Sequence, residues 1–328
     1  MSRKLLSYTA LGLILGNAAI ADVPKVAVDI APVHSLVSRV MEGVGSPKLI
    51  IPAGASPHEY SLRPSEAKSL QDADMVIWMG EDLAPWMENS IEKLAKNAEV
   101  ITLLEASETK LLDFREGALF EEHDHGDHDD HDDHDDHDKD HDDHDDHDDH
   151  DDHAGHDHGE HDPHAWLSIE NAQTWLNLVA GKLSAADPEN AGVYFGNAAA
   201  ARSEIEELSK EVNSILDPVR GRNFVVFHDA YQYFETSFDF PASGAISLGD
   251  ATDPSASRIA EIQGRVREEG INCVLSEPQY NPNLVETVLE GTDAKTGVID
   301  PLGVNLEPGS KLYGDLIRNM AKSLAGCL

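Results

Sequence analysis

Histidine and aspartate alternate in a repeat near the middle of this 328-residue chain. Fifteen of the eighteen histidines lie between His123 and His164, most of them at every third position with aspartates between. Neutral imidazole and carboxylate groups are both zinc ligands, and a spacing of three lets neighbouring histidines reach one ion in several conformations. The repeat therefore predicts metal binding, and its regular part contains His128, His131, His134, His137, His141, His144, His147, His150 and His153.

The surrounding segment, residues 121–162, has too much charge and too little apolar surface to fold as an ordinary domain. It holds 23 acidic residues against a single lysine. We expect a disordered loop whose zinc sites exchange and are weaker than a site on a rigid scaffold. The alternative is an acidic spacer that only solvates the chain, which would explain the aspartates but not the regular histidines.

Four sparser residues are candidates for one tight site. His58 lies in a loop after the second predicted strand, His164 lies where the His-rich loop ends, and His228 and Asp300 each end an apolar run. Ligands of open α/β sheets bind beyond the carboxyl ends of the strands, which is where these side chains would lie. Taken singly, each is more often a cap or a hydrogen-bonded surface group.

Alternating apolar runs and helical patterns on both sides of the loop predict the elements that position these residues. Before the loop we predict strands at 25–30, 48–51, 74–78 and 100–103; after it, at 224–227, 241–246, 271–275 and 296–299. Strands that alternate with helices favour parallel sheets covered on both faces. A long helical pattern at 187–219 would join an N-terminal α/β lobe, residues 22–186, to a C-terminal α/β lobe, residues 220–328.

The N-terminal residues predict secretion. A basic start, an apolar run from Leu5 to Ile20 and an A-x-A site before Asp22 describe a cleavable signal peptide over residues 1–21, with an uncleaved anchor as the alternative. The formal net charge is −38, and the acidic excess lies largely in residues 121–162. Such a chain repels nucleic acid and favours a cationic ligand. We expect a periplasmic monomer.

Cys273 and Cys327 are the two cysteines of the chain. In an oxidising compartment such a pair favours a disulfide, and the chain-entropy model gives a loop of ~55 residues about 4 kcal/mol of stabilisation. Metal ligation by the pair is the alternative, but no further cysteine is present to complete a thiolate site.

Five ordered segments resemble the zinc solute-binding proteins of bacterial zinc ABC transporters (the ZnuA family): HEYSLRPSEAKSLQDADMVIWMG, DPHAWLS, VVFHDAYQYFE, VLSEPQYNP and GVIDPLG. The resemblance covers essentially the whole mature chain. It implies two α/β lobes bridged by a long helix, one metal ion in the cleft between them, and a pairing of the two cysteines. The ligands that it implies are His58, His164 and His228, with Asp300, an acidic neighbour such as Glu59, or water in the fourth position.

Three imidazoles favour zinc, whereas the related manganese and iron binders have a carboxylate at the position of His228. The resemblance further implies delivery to an inner-membrane permease with a cytoplasmic ATPase. A manganese- or iron-binding relative and a periplasmic zinc buffer or chaperone are the alternatives. We do not expect an enzyme, because the sequence lacks the H-E-x-x-H and G-x-S-x-G patterns of hydrolases.

Overall fold

The computed structural model describes residues 23–115, 120, 161–247, 255–280 and 282–328. The predicted signal peptide and the nine histidines of the regular repeat lie outside the described residues. In the described part of the chain, two four-stranded parallel sheets lie on either side of one long helix. This is the architecture that the sequence predicts.

The first sheet contains strands β1 to β4 in the order β2-β1-β3-β4, all parallel. Its central strands β1 and β3 are wholly buried apolar runs, as expected where helices cover both faces of a parallel sheet. The elements of this lobe are β1 (Val26–Val28), α1 (Ala31–Val40), β2 (Lys48–Leu49), α2 (Pro64–Gln71), β3 (Met75–Trp78), α3 (Pro85–Leu94) and β4 (Glu99–Thr102).

Asp29 ties the carboxyl ends of the two central strands of this sheet together. Its carboxylate accepts hydrogen bonds from the backbone amides of Ile30 and Met79, both at 2.7 Å. Complete burial raises the pKa of Asp29 to about 7, against the opposing effect of these two amides.

The second sheet has the equivalent order β6-β5-β7-β8, again all parallel. Strand β5 is buried along its whole length and ends at His228. The elements of this lobe are β5 (Phe224–His228), α6 (Gln232–Phe238), β6 (Gly244–Ser247), α7 (Ala256–Glu268), β7 (Cys273–Ser276), α8 (Pro282–Leu289), β8 (Lys295–Val298) and α9 (Leu312–Cys327).

Helix α5 (Ala191–Leu216) lies between the lobes, preceded in the chain by α4 (Ile169–Ala186). Its 26 residues span about 39 Å. It packs on α1 and α4 of the first lobe and on α9 of the second. Its buried residues recur every three or four positions along one face: Tyr194, Ala198, Ala201, Ile205, Leu208, Val212 and Leu216. The region that we predict as one long helix contains 3-10 turns at Pro188–Asn190 and Asp217–Val219 on either side of α5. Among the described helices, none has the length and apolar character of a membrane span.

Cys273 and Cys327 form a disulfide, which confirms the sequence-based prediction. Cys273 begins β7 and Cys327 ends α9, with their Cα atoms 5.8 Å apart and both residues buried. The bond therefore fastens the C-terminal helix to the second sheet.

Candidate metal centre

Three of the four predicted ligands meet between the two sheets. His58 lies in the loop between β2 and α2, His164 precedes a 3-10 turn at Ala165–Leu167, and His228 ends β5. The ring centre of His164 is 5.5 Å from that of His58 and 5.3 Å from that of His228. With Zn–N bonds of about 2.0–2.1 Å at tetrahedral angles, two imidazole centres on one zinc ion lie about 5 Å apart. The spacing of the rings fits a shared zinc ion.

His228 is held by a buried carboxylate. Glu277, in the loop after β7, places Oε1 2.6 Å from His228 Nδ1, and both side chains are buried. A carboxylate at Nδ1 keeps the proton on that nitrogen, so Nε2 carries the lone pair that a metal needs. Glu277 therefore orients the His228 imidazole.

His164 repeats the arrangement with a carboxylate from its own loop. Asp162 Oδ1 lies 2.7 Å from His164 Nδ1 and accepts the His164 backbone amide at 2.9 Å. His164 Nε2 is buried and has no hydrogen-bond partner within the described residues. Buried polar atoms are nearly always paired, so this nitrogen, in a residue that lines a pocket, is a candidate to bind a cation or a water molecule.

Trp166 packs against His164 and joins the two lobes. Its ring centre is 5.2 Å from that of His164, and its indole N–H donates to the carbonyl of Pro301, in the loop after β8, at 2.9 Å. Trp166 therefore fixes the His164 ring against the loop after β8.

His58 is half-buried, unlike the other two histidines. Its loop is fixed by α3, because the indole N–H of Trp86 donates to the Pro57 carbonyl at 2.8 Å. The His58 backbone amide donates to Ser56 Oγ at 3.3 Å. The neighbouring Glu59 is exposed.

Asp300 binds its own loop. Its carboxylate accepts the backbone amides of Leu302 at 3.1 Å, Gly303 at 2.8 Å and Val304 at 2.7 Å. Pro301 and Leu302, rather than Asp300, line the pocket between the histidines. The structure therefore groups three predicted ligands and leaves the fourth in a backbone-capping position.

The pocket enclosed by the three histidines is small. The centre of a water-sized sphere can move through about 10 Å³, which corresponds to room for one water molecule or one ion. Across the described ranges, no three His, Cys, Asp or Glu side chains are arranged to hold a metal ion as they stand. The spacing of the ring centres nevertheless matches that of imidazoles sharing one zinc ion.

Arg115 crosses from the first lobe to the residue after His228. Its Nε lies 3.0 Å from Asp229 Oδ2 and its Nη1 lies 2.8 Å from Glu235 Oε2. Both acidic side chains are buried, and burial raises the pKa of Glu235 against the opposing charge of the arginine. Sequence reasoning missed this bridge, because no local pattern pairs residues more than 100 positions apart.

Two other residues near the strand ends, His34 and Tyr231, are also buried. His34 Nε2 lies 3.3 Å from the Pro47 carbonyl, and burial lowers the pKa of its imidazole. Tyr231 packs with its ring centre 6.1 Å from that of His228, and burial, followed by the nearby charge of Glu277, raises the pKa of its hydroxyl.

Named relatives match the chain over nearly its whole length. The family model described as zinc-uptake complex component A, periplasmic (ZnuA), matches residues 26–327. The "High-affinity zinc uptake system protein ZnuA" of Paracoccus denitrificans is 47% identical over 326 residues, covering 98% of both chains. The protein of the same name from Haemophilus influenzae is 35% identical over 340 residues, covering 99% of both.

Solved structures of low sequence identity share the fold. "Crystal structure of ZnuA" superposes with a TM-score of 0.71 at 19% identity, covering 93% of this chain and 99% of that one. The solute-binding protein FpvC of Pseudomonas aeruginosa, in complex with Mn²⁺, gives 0.72 at 19% identity, covering 93% and 98%. From the family match and the two named relatives, we conclude that the chain belongs to the ZnuA family of periplasmic zinc-uptake components.

Proposed function

We propose that this protein is the periplasmic zinc-binding component of a zinc uptake system, which captures Zn(II) in its cleft and delivers it to an inner-membrane ABC permease driven by a cytoplasmic ATPase. The observation that carries the proposal is the small pocket lined by three histidines, two of them hydrogen-bonded to carboxylates. Relatives covering 98% and 95% of this chain are named high-affinity zinc uptake proteins. A transport role of this kind requires no catalytic group.

His58, His164 and His228 are the proposed zinc ligands. Three imidazoles favour zinc over manganese or iron, which prefer harder oxygen donors. The sequence leaves the fourth position open among Asp300, Glu59 and water. Asp300 already accepts three backbone amides and Glu59 is exposed, so neither has a side chain committed to the pocket.

The His-rich loop is proposed to add weaker, exchanging sites that supply the cleft. The contacts at its two ends support this proposal. Asp113 and His161 form an isolated bridge, and the Asp162 amide donates to the Leu112 carbonyl at 2.8 Å. The loop therefore leaves and rejoins the lobe at one place, two residues from His164.

Zinc stoichiometry of a chain lacking residues 121–160 tests the cleft directly. We expect one tight zinc ion in this shortened chain, and none when His58, His164 and His228 are all replaced by alanine. His34→Gln is the matched control, since His34 hydrogen-bonds away from the pocket, and it should leave binding unchanged. Tight zinc binding that survives the triple substitution would refute the three histidines as ligands. Tight binding that disappears when residues 121–160 are removed would favour the alternative function of a zinc buffer.

The pH dependence of zinc affinity provides a second test. Zinc binds neutral imidazole, so affinity should fall as pH decreases through the ordinary histidine range near 6.5. Competition with a chelator across pH 5 to 8, on the shortened chain, measures the slope. An affinity that does not change over this range would exclude histidine ligands.

Delivery to a permease requires a cellular assay. In the source bacterium with its own copy deleted, we expect this chain to restore growth in chelator-treated medium, and the triple histidine variant to fail. Added zinc should rescue both strains equally. Restoration by the triple variant would contradict a transport role for the cleft.

Secretion, signal cleavage after Ala21 and a monomeric state are part of the same proposal. N-terminal sequencing of periplasmic protein should give Asp22 as the first residue. Size-exclusion chromatography with light scattering should give the mass of one mature chain. A cytoplasmic location would contradict secretion, and a stable dimer would contradict the monomeric state.

A further inference from the structure

The histidine pocket contains a second unpaired polar atom besides His164 Nε2. Gln279 lines the same pocket, and its side-chain Oε1 is buried without a hydrogen-bond partner among the described residues. A buried amide oxygen without a donor is destabilising, so one that lies beside a pocket is a candidate for contact with a water molecule or an ion. Gln279 and His164, each with an unpaired buried atom among the described residues, line the same small pocket.

The loop that supports His228 also positions Gln279. This loop follows β7, and its Glu277 side chain contacts His228 Nδ1. The backbone then turns, with the Tyr280 amide donating to the Glu277 carbonyl at 3.2 Å. The Tyr280 ring stacks on Phe227 of β5 at 4.4 Å between ring centres. Gln279 lies inside a turn fixed at both ends to the strand that carries His228.

Charge balance suits a neutral fourth ligand. Asp162 and Glu277 each place a carboxylate behind one imidazole, so two negative charges already oppose the two positive charges of zinc. An amide oxygen completes four-coordination without adding a third negative charge. The pocket has room for about one ion, and Gln279 lines it together with the three histidines.

We infer that Gln279 supplies the fourth zinc ligand through its amide oxygen, in place of Asp300, Glu59 or water. The inference rests on the proposed zinc function and specifies the coordination of the same site. The two terminal atoms of a glutamine amide are assigned by their partners, and a cation selects the oxygen. Asp300 keeps its role as acceptor of the three amides in its own loop.

Cobalt(II) is the probe, because its visible absorption depends on the donor atoms that bind it. The chain lacking residues 121–160 is loaded with cobalt, and Gln279→Ala is compared with the matched control Gln263→Ala on the surface of α7. Gln263 donates to the Thr287 carbonyl, outside the pocket. We expect Gln279→Ala to change the cobalt spectrum and to weaken zinc binding about tenfold or more, and Gln263→Ala to change neither.

Two more variants make the result decisive. Gln279→Glu should retain a tetrahedral cobalt spectrum, because its carboxylate oxygen takes the same position. Asp300→Asn, which keeps an acceptor oxygen for its own loop, should leave the cobalt spectrum unchanged. An unchanged spectrum in Gln279→Ala, or an altered one in Asp300→Asn, would overturn the inference. If Gln279→Ala does not fold, loss of the tetrahedral spectrum in Gln279→Glu overturns the inference instead.

Failure of the proposed zinc function would appear differently in these experiments. In that case the shortened parent chain itself binds no cobalt or zinc, or His164→Ala binds as tightly as the parent. A parent chain that binds one ion and loses it in His164→Ala, together with an unaltered Gln279→Ala, leaves the function standing and removes only the fourth ligand.

Discussion

Replacement of Glu277 by glutamine tests whether the buried carboxylates strengthen the metal site. The glutamine oxygen can still accept a hydrogen bond from His228 Nδ1, which lies 2.6 Å from the carboxylate in the native chain. The substitution removes the negative charge that makes the imidazole a better donor and opposes the charge of zinc. The change is therefore electrostatic, and its steric effect is small.

Loss of such a supporting group costs about 10–100-fold in metal affinity, which corresponds to about 1.4–2.8 kcal/mol. We expect the upper part of this range for Glu277→Gln, because the carboxylate and the imidazole are both buried and solvent screens their interaction weakly. The apoprotein should retain its thermal stability, since a buried charge is removed without removing an acceptor oxygen.

Chelator competition with zinc at pH 7.5, on the chain lacking residues 121–160, measures this loss. Glu261→Gln is the control: this residue pairs with Arg258 on the surface of α7, and its replacement should leave the affinity unchanged. If Glu277→Gln folds and binds zinc with parental affinity, the carboxylate does not support the ligand and the reasoning fails.

Three further predictions concern the stability of the fold. Replacing Cys273 and Cys327 by serine should lower the free energy of unfolding by about 2–5 kcal/mol, measured in urea, and a reductant should then have no further effect. Arg115→Met leaves two buried carboxylates uncompensated and should lower the free energy of unfolding by about 3–5 kcal/mol. Loss of the exposed ion pair between Arg318 and Glu211 should lower it by at most about 1 kcal/mol in the same urea measurement. Equal losses would contradict a stabilising role for the Arg115 bridge. Folding raises the pKa of Asp29 from 3.8 to about 7, so the folded chain binds a proton that the unfolded chain releases, and the free energy of unfolding should decrease as pH rises between these values. Asp29→Asn should flatten this dependence of stability on pH. Equal slopes for the parent chain and the variant would contradict the raised pKa.

The strands were predictable because their apolar runs are bounded by turn signals. All eight appear within a few residues of the predicted positions, and the helix predicted at 187–219 contains α5. The differences lie at the ends. Strand β6 begins at Gly244 rather than near residue 241. The 3-10 turns that flank α5 contain Pro188 and Pro218, and proline lacks the amide that continues an α-helix.

The candidate site was predictable only for residues whose type suggests metal binding. The sequence identified His58, His164 and His228 at strand ends and in loops, and the structure groups them. It could not show that Asp300 caps its own loop or that Gln279 lines the pocket. Those facts depend on the packing of loops that are far apart in the sequence, and the spacing of residues along the chain does not predict that packing.

The unequal exposure of the three proposed ligands would set an order for ligand exchange. His164 and His228 are buried and held by carboxylates, whereas His58 is half-buried on a loop of the first lobe. In the proposed site, a competing ligand approaching from solvent would therefore reach the bond between zinc and His58 first. Zinc release would begin with the displacement of this one imidazole, so the off-rate should respond most strongly to changes in the His58 loop, whichever molecule receives the ion.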